Sequence, residues 1–94
     1  MSALDAALPD ATVDLDARAM ALCRAGEWEE FGLLVERHRD PLVRYLARLV
    51  GDRDRGEEIA QEAFVRLWLA RRRYREEGCF EAYLYSIGTR LARS

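Results

Sequence analysis

With 94 residues the chain has room for one modest hydrophobic core and none for an enzyme with a separate cofactor domain. All 15 basic residues are Arg, set against 17 acids for a net charge of −2, so overall charge points to no class of partner. No stretch approaches the roughly 20 apolar residues of a membrane span, and the amino terminus lacks the basic and apolar segments of a signal peptide, so a cytoplasmic protein is expected.

Charge distribution says more. Residues 1–30 hold seven acids and two Arg, whereas residues 31–94 hold ten acids and thirteen Arg. The leader 1–13, rich in Ala and Asp and broken by Pro9, is expected to be disordered. A first helix is predicted from Asp14 as N-cap to Ala25, with Leu15, Met20, Leu22 and Cys23 on its buried side and Gly26 as the residue that ends it. Cys23 and Cys79 have neither CxxC spacing nor nearby His partners, which argues for ordinary thiols over a zinc or redox site.

A second helix starts near Glu27 or Trp28 and runs to Val50, where Gly51 stops it. Its stripe of Phe31, Leu34, Val35, His38, Leu42, Tyr45, Leu46 and Leu49 keeps one phase across Pro41, which predicts a kinked but continuous helix. His38 lies on that stripe and reads as a satisfied core residue, neither a ligand nor a base.

Gly51-Asp52-Arg53-Asp54 reads as a turn followed by a cap, with Asp54 capping a third helix that extends to about Arg73. Ala60, Ala63, Phe64, Leu67 and Trp68 form its core face, with Ile59 at the margin. The other side carries Glu58, Gln61, Glu62, Val65 and Leu69. Two aliphatics among acids and an amide are unusual for a face that only meets water, so this stripe is expected to bind a partner. Arg71, Arg72, Arg73 and Arg75 follow as a dense basic patch of the kind that neutralises phosphates. Residues 74–79 form a loop, and a last helix runs from about Phe80 to Arg93, with Phe80, Tyr83, Leu84, Ile87 and Leu91 inward and Ala82, Tyr85, Ser86, Thr89, Ala92 and Arg93 outward. The fold class is all-α, a compact bundle of about four helices.

The run from Phe31 to Arg93 resembles the region-two domain of a bacterial RNA polymerase sigma factor of the extracytoplasmic-function group. The matching pieces are Phe31 to Tyr45 with its mid-helix Pro-Leu, the Gly51-Asp52 turn, the run from Glu58 to Trp68 with its Gln61-Glu62 pair, and the Phe80-x-x-Tyr83-Leu84-Tyr85-x-Ile87 helix. The resemblance assigns residues 14–94 to one region-two domain of sigma-factor type. It implies that Glu58, Gln61, Glu62, Val65 and Leu69 dock on the coiled-coil clamp helices of the polymerase β′ subunit. It also implies that Arg71, Arg72, Arg73, Tyr74, Arg75, Tyr83 and Arg90 help to recognise and melt the promoter −10 element, capturing a flipped base of the non-template strand. An anti-sigma factor is an implied regulator, no cofactor is implied, and the domain is expected to be a monomer on its own.

Four positions depart from the family's usual pattern. Glu58 stands for Asp, Tyr83 for Trp, Arg90 for Asn and Gly88 for Ala, so most departures fall on the DNA-reading half. The second helical domain that reads the −35 element in this group is absent, and an excised domain is the expectation. A competing reading is a helical interaction module whose Glu58-to-Leu69 stripe is bound by a regulatory protein without any DNA binding. No Ser/His/Asp, Cys/His, metal-ligand or phosphate-loop arrangement points to an enzyme.

Overall fold

The computed structural model describes residues 15–75 and 79–94. The leader 1–13, the expected cap Asp14 and residues 76–78 of the expected loop lie outside them. Among the described residues the chain forms α1 (15–24), α2 (Trp28–Val50), α3 (Arg53–Leu69), a 3-10 turn (Arg71–Arg73) and α4 (Phe80–Ala92), with no strand. This is the expected all-α bundle.

Glycine ends the first two helices by the same device. Gly26 has φ 94°, its N–H donates to the Cys23 carbonyl at 2.9 Å, and the Glu27 N–H donates to the Leu22 carbonyl at 3.0 Å. Gly51 has φ 78°, and the N–H groups of Gly51 and Asp52 both reach the Ala47 carbonyl, at 2.7 and 3.1 Å. The left-handed backbone at each position satisfies carbonyls that the helix end would otherwise leave unpaired.

The inward face of α1 differs from the expected one. Leu15 and Leu22 are exposed, while Asp16, Ala19, Met20 and Cys23 are buried at i, i+3, i+4 and i+7. An acid therefore holds a core position. The Asp16 carboxylate accepts from His38 Nε2, which lies 3.1 and 3.2 Å from its two oxygens, and it pairs with Arg37. His38 is thus a satisfied core residue, as its place in the stripe predicts, and it joins α1 to α2; Glu81 Oε2 of α4 lies 3.8 Å from its Nδ1. Burial, with Glu30 adding to it and Arg71 opposing it, pushes the Cys23 thiol up, so this cysteine is a packed apolar group.

Helix α2 runs unbroken through Pro41, burying Phe31, Leu34, His38, Leu42, Val43 and Leu46. Tyr45 and Leu49, expected on its core stripe, sit at the rim and are partly exposed. The cap of α3 lies two residues earlier than the sequence suggests: Asp52 is the N-cap, and its Oδ1 accepts from the Asp54 N–H at 3.0 Å. The core face of α3 is as expected, with Ile59 fully inside. The helix ends at Leu69 and tightens into the 3-10 turn in place of continuing to Arg73. Arg71 explains the change of winding, because its NH1 donates to the Trp68 carbonyl at 2.9 Å and its guanidinium carbon lies 3.9 Å from the Trp68 ring centroid.

Two glycines set how closely the helices approach. A Cβ on Gly56 would lie 2.7 Å from the Ala47 nitrogen and 2.8 Å from its Cα, so α3 crosses α2 almost backbone to backbone there. A Cβ on Gly88 would meet the Leu46 methyls at 3.2 and 3.3 Å, which gives the departure from Ala a packing reason. Helix α4 buries Phe80, Leu84 and Gly88 and half-buries Tyr83, Ile87 and Leu91. Tyr85, Thr89 and Ala92, expected outward, are half-buried because α4 also leans on α2: the Tyr85 ring is 5.0 Å from Tyr45, and Tyr45 Oη and Thr89 Oγ1 share a hydrogen bond of 2.7 Å.

Candidate functional site

The outward stripe of α3 is free along its length. Glu58, Gln61, Glu62, Val65 and Leu69 are all exposed, Leu69 at 71 % and Val65 at 46 %. Burying the core face of α3 fixes this, since residues at 58, 61, 62, 65 and 69 then point to the far side of the helix. Its acids meet cations of the same helix: Arg55 Nη1 is 3.4 Å from Glu58 Oε1, and Arg66 Nε donates to Glu62 Oε2 at 3.0 Å. Both are solvent-exposed pairs of the weak kind.

Beside the stripe lies an apolar groove of about 470 Å³ between α2 and α3. Gln61, Val65 and Leu69 form one wall, Val35 and Arg39 of α2 line the other, and Trp28, Phe31, Phe64 and Trp68 supply an aromatic floor. Trp28 stands edge-on to Trp68 at 4.7 Å between ring centroids, and Phe31 lies 5.1 Å from Trp68. The sequence reading missed Trp28, Val35 and Arg39 here. Trp28 carried the available signal, as a large apolar residue just inside the start of α2 and ahead of the buried stripe.

The basic patch divides. Arg71 is committed to Trp68 by its stacking and its hydrogen bond, whereas Arg72, Arg73 and Arg75 are exposed. Tyr74 was expected to offer a ring to DNA; it is 6 % exposed, with its ring edge-on to Tyr83 at 5.0 Å and 6.1 Å from Phe80. Its aromatic surface is taken up by the core, because the extended residue after the 3-10 turn points inward onto α4. Tyr83 is half-buried and shows one edge.

That edge belongs to a second groove, of about 460 Å³, between the end of α3 and α4. Arg66, Arg73 and Arg90 line it, with Tyr83, Ile87 and Leu91 as its apolar side. The fold thus brings Arg73, Tyr83 and Arg90 together, while Arg72 and Arg75 stand outside this groove. A shallower hollow along α4, lined by Ser86, Thr89, Arg90, Arg93 and Ser94, adjoins it through Arg90. Neither Arg66 nor Arg93 is among the residues the sequence assigned to DNA. The spacing of Arg66, Ala70 and Arg73 at i, i+4 and i+7 was the signal for the first of these.

Three guanidinium groups around an aromatic edge can hold phosphates beside a stacked base. Among the described residues no group of three His, Cys, Asp or Glu could hold a metal ion, and no helix is long and apolar enough to cross a membrane. A family model, sigma-70 region 2, matches residues 34–94. The chain is 26 % identical over 83 residues to the RNA polymerase sigma-H factor of Pseudomonas aeruginosa, covering 88 % of this chain and 43 % of that protein. It is 36 % identical over 64 residues to the ECF RNA polymerase sigma factor SigE of Mycolicibacterium smegmatis, covering 68 % of this chain and 23 % of that protein. The chain therefore spans less than half the length of either relative, and no solved structure matches it. With a helical bundle of this form, and with the family model covering most of α2 and all of α3 and α4, the chain belongs to the sigma-70 region 2 family.

Proposed function

We propose that this chain acts in transcription initiation as the part of a sigma factor that docks on the polymerase β′ clamp helices and captures the non-template strand of the −10 element. Its place of action is then the cytoplasm, with core polymerase and promoter DNA as partners. The observation that carries the reading is the double use of α3. Its outward stripe is not needed by the bundle yet exposes Val65 and Leu69 among acids, and its carboxyl end leads into a groove of three Arg around Tyr83. Acids on the stripe pair with cations on the partner and fix orientation, while the aliphatics and the adjoining aromatic groove bury apolar area.

Replacing Gln61 and Glu62 together by Ala is expected to weaken binding to a clamp-helix fragment at least tenfold, about 1.4 kcal/mol, with helicity unchanged by circular dichroism. Wild-type affinity in the double variant would exclude the docking face. For DNA, Arg72→Ala with Arg73→Ala should weaken binding of a −10 non-template oligonucleotide. It should also flatten the plot of log affinity against log salt by about 1.4, at roughly 0.7 per lost phosphate contact on a single strand. An unaltered slope would remove these residues from the DNA path.

The size and aromatic floor of the α2–α3 groove also suit a regulatory protein that occludes the same face, an anti-sigma factor among them. A chain that binds such a protein and no −10 oligonucleotide would fit the purely regulatory reading. Co-purification with core polymerase, followed by the oligonucleotide titration, separates the two.

A further inference from the structure

Arg71 lines neither groove, yet it stands at the point where α3 gives way to the 3-10 turn. In a continued α-helix the Trp68 carbonyl would accept from the N–H of Arg72, four positions on. Here Arg71 Nη1 donates to that carbonyl at 2.9 Å, and the guanidinium is held over the Trp68 ring. The backbone can then tighten, and the Arg73 N–H donates to the Ala70 carbonyl at 2.9 Å, the i to i+3 bond of a 3-10 turn. Winding decides direction. Over the three steps from Ala70 to Arg73, α-helical winding falls short of 3-10 winding by about 60°, enough to carry the Arg73 side chain off the groove it shares with Tyr83 and Arg90. Stability alone does not account for an Arg at this position, because its Nε is buried with no hydrogen-bond partner among the described residues.

We propose that Arg71 is a positioning residue for strand binding: it ends α3 at Leu69 and so aims Arg73 into the α3–α4 groove, without touching the nucleic acid itself. The proposal rests on the DNA reading given above and changes the part that Arg71 plays in it. In a basic run each guanidinium ordinarily acts by its own charge, one phosphate contact apiece. Arg71 instead commits its charge to an aromatic face and a backbone carbonyl, and Arg73 makes the contact that Arg71 prepares. Two arginines of one run then act as a single unit, and their deletions do not add.

The test uses the whole chain and a −10 non-template oligonucleotide. Arg71→Met keeps an apolar cover on Trp68 and removes the donor. Its Tm is expected at or above that of the wild type, while the Cα chemical shifts of residues 72 and 73 move toward α-helical values. Oligonucleotide binding should weaken about threefold at physiological salt, with a salt slope flatter by about 0.7, one phosphate contact. Arg73→Ala should lose as much, and in the Arg71→Met background it should change neither affinity nor slope further. Arg71→Lys, which can both donate to the carbonyl and sit over the ring, should match the wild type in shifts and in binding. Losses that add in the double variant would make Arg71 a direct phosphate contact and overturn the positioning role. Wild-type binding by Arg71→Met, or unchanged shifts at residues 72 and 73, would overturn it as well, even if Arg73→Ala weakens binding as expected. Full binding by Arg73→Ala alone would instead remove the DNA path itself, and the positioning role with it.

Discussion

Gly56→Ala is expected to lower stability by about 2 kcal/mol or more, a loss of roughly 10 °C in Tm for a domain of this size. In an open helix the same change stabilises by about 1 kcal/mol, because Ala is the better helix former. Here the added methyl would sit 2.7 Å from a backbone nitrogen and 2.8 Å from a Cα of α2, atoms that cannot rotate away as a side chain can. The two helices must separate, and the loss spreads to the packing of Ala60 and Ala63 on the same face of α3. Gly32→Ala is the matching control, since nothing lies within 4 Å of its added carbon on the exposed side of α2, and it should raise Tm. Thermal unfolding of both variants checks the pair, and a Gly56→Ala protein as stable as the wild type would refute the close crossing.

Asp16→Ala should be of similar size, about 2–4 kcal/mol. Asp16 is 3 % and His38 4 % exposed, so deleting the carboxylate leaves the Nε2 of a buried ring without its acceptor and the Arg37 guanidinium without its partner. Arg37 matters less, since a third of its side chain already meets water. Asp16→Asn keeps the shape and one acceptor and should cost clearly less. The decisive comparison is the double change Asp16→Leu with His38→Leu, which removes donor and acceptor together and should be more stable than Asp16→Ala alone. If the double variant is the less stable, the cost lies in packing and not in the orphaned ring. Loss of this contact also undocks α1, so helicity of residues 15–24 should fall first in hydrogen exchange.

How these contacts relate to the sequence differs from helix to helix. Helices α2 and α3 were legible because each repeats its apolar residues over many turns, enough to carry the phase of α2 through Pro41 and to separate the two faces of α3. The ten residues of α1 offered too few repeats, and the assumption that its leucines face inward failed because the core accepts Asp16 there. Nothing local reveals that choice: the partner, His38, lies 22 residues away in the chain. Tyr74 and the outer edge of α4 were misread for a related reason. Periodicity reports one buried face, while α4 touches α2 and α3 at once and the Tyr74 ring packs against Tyr83 and Phe80. The exposed stripe of α3 was visible as an anomaly of composition on a solvent face. The basic groove was visible only in part, because Arg66 joins it through the turn that bends Arg73 and α4 toward it.

The aromatic floor between α2 and α3 bears on how the chain can be observed. Both of its tryptophans, Trp28 and Trp68, stand together there, Trp28 largely in water and Trp68 under a guanidinium group. Tryptophan fluorescence therefore arises at this groove. It reports on whatever covers the α2–α3 groove without any label, whereas the groove at α4 is lined by Tyr83 and by no tryptophan.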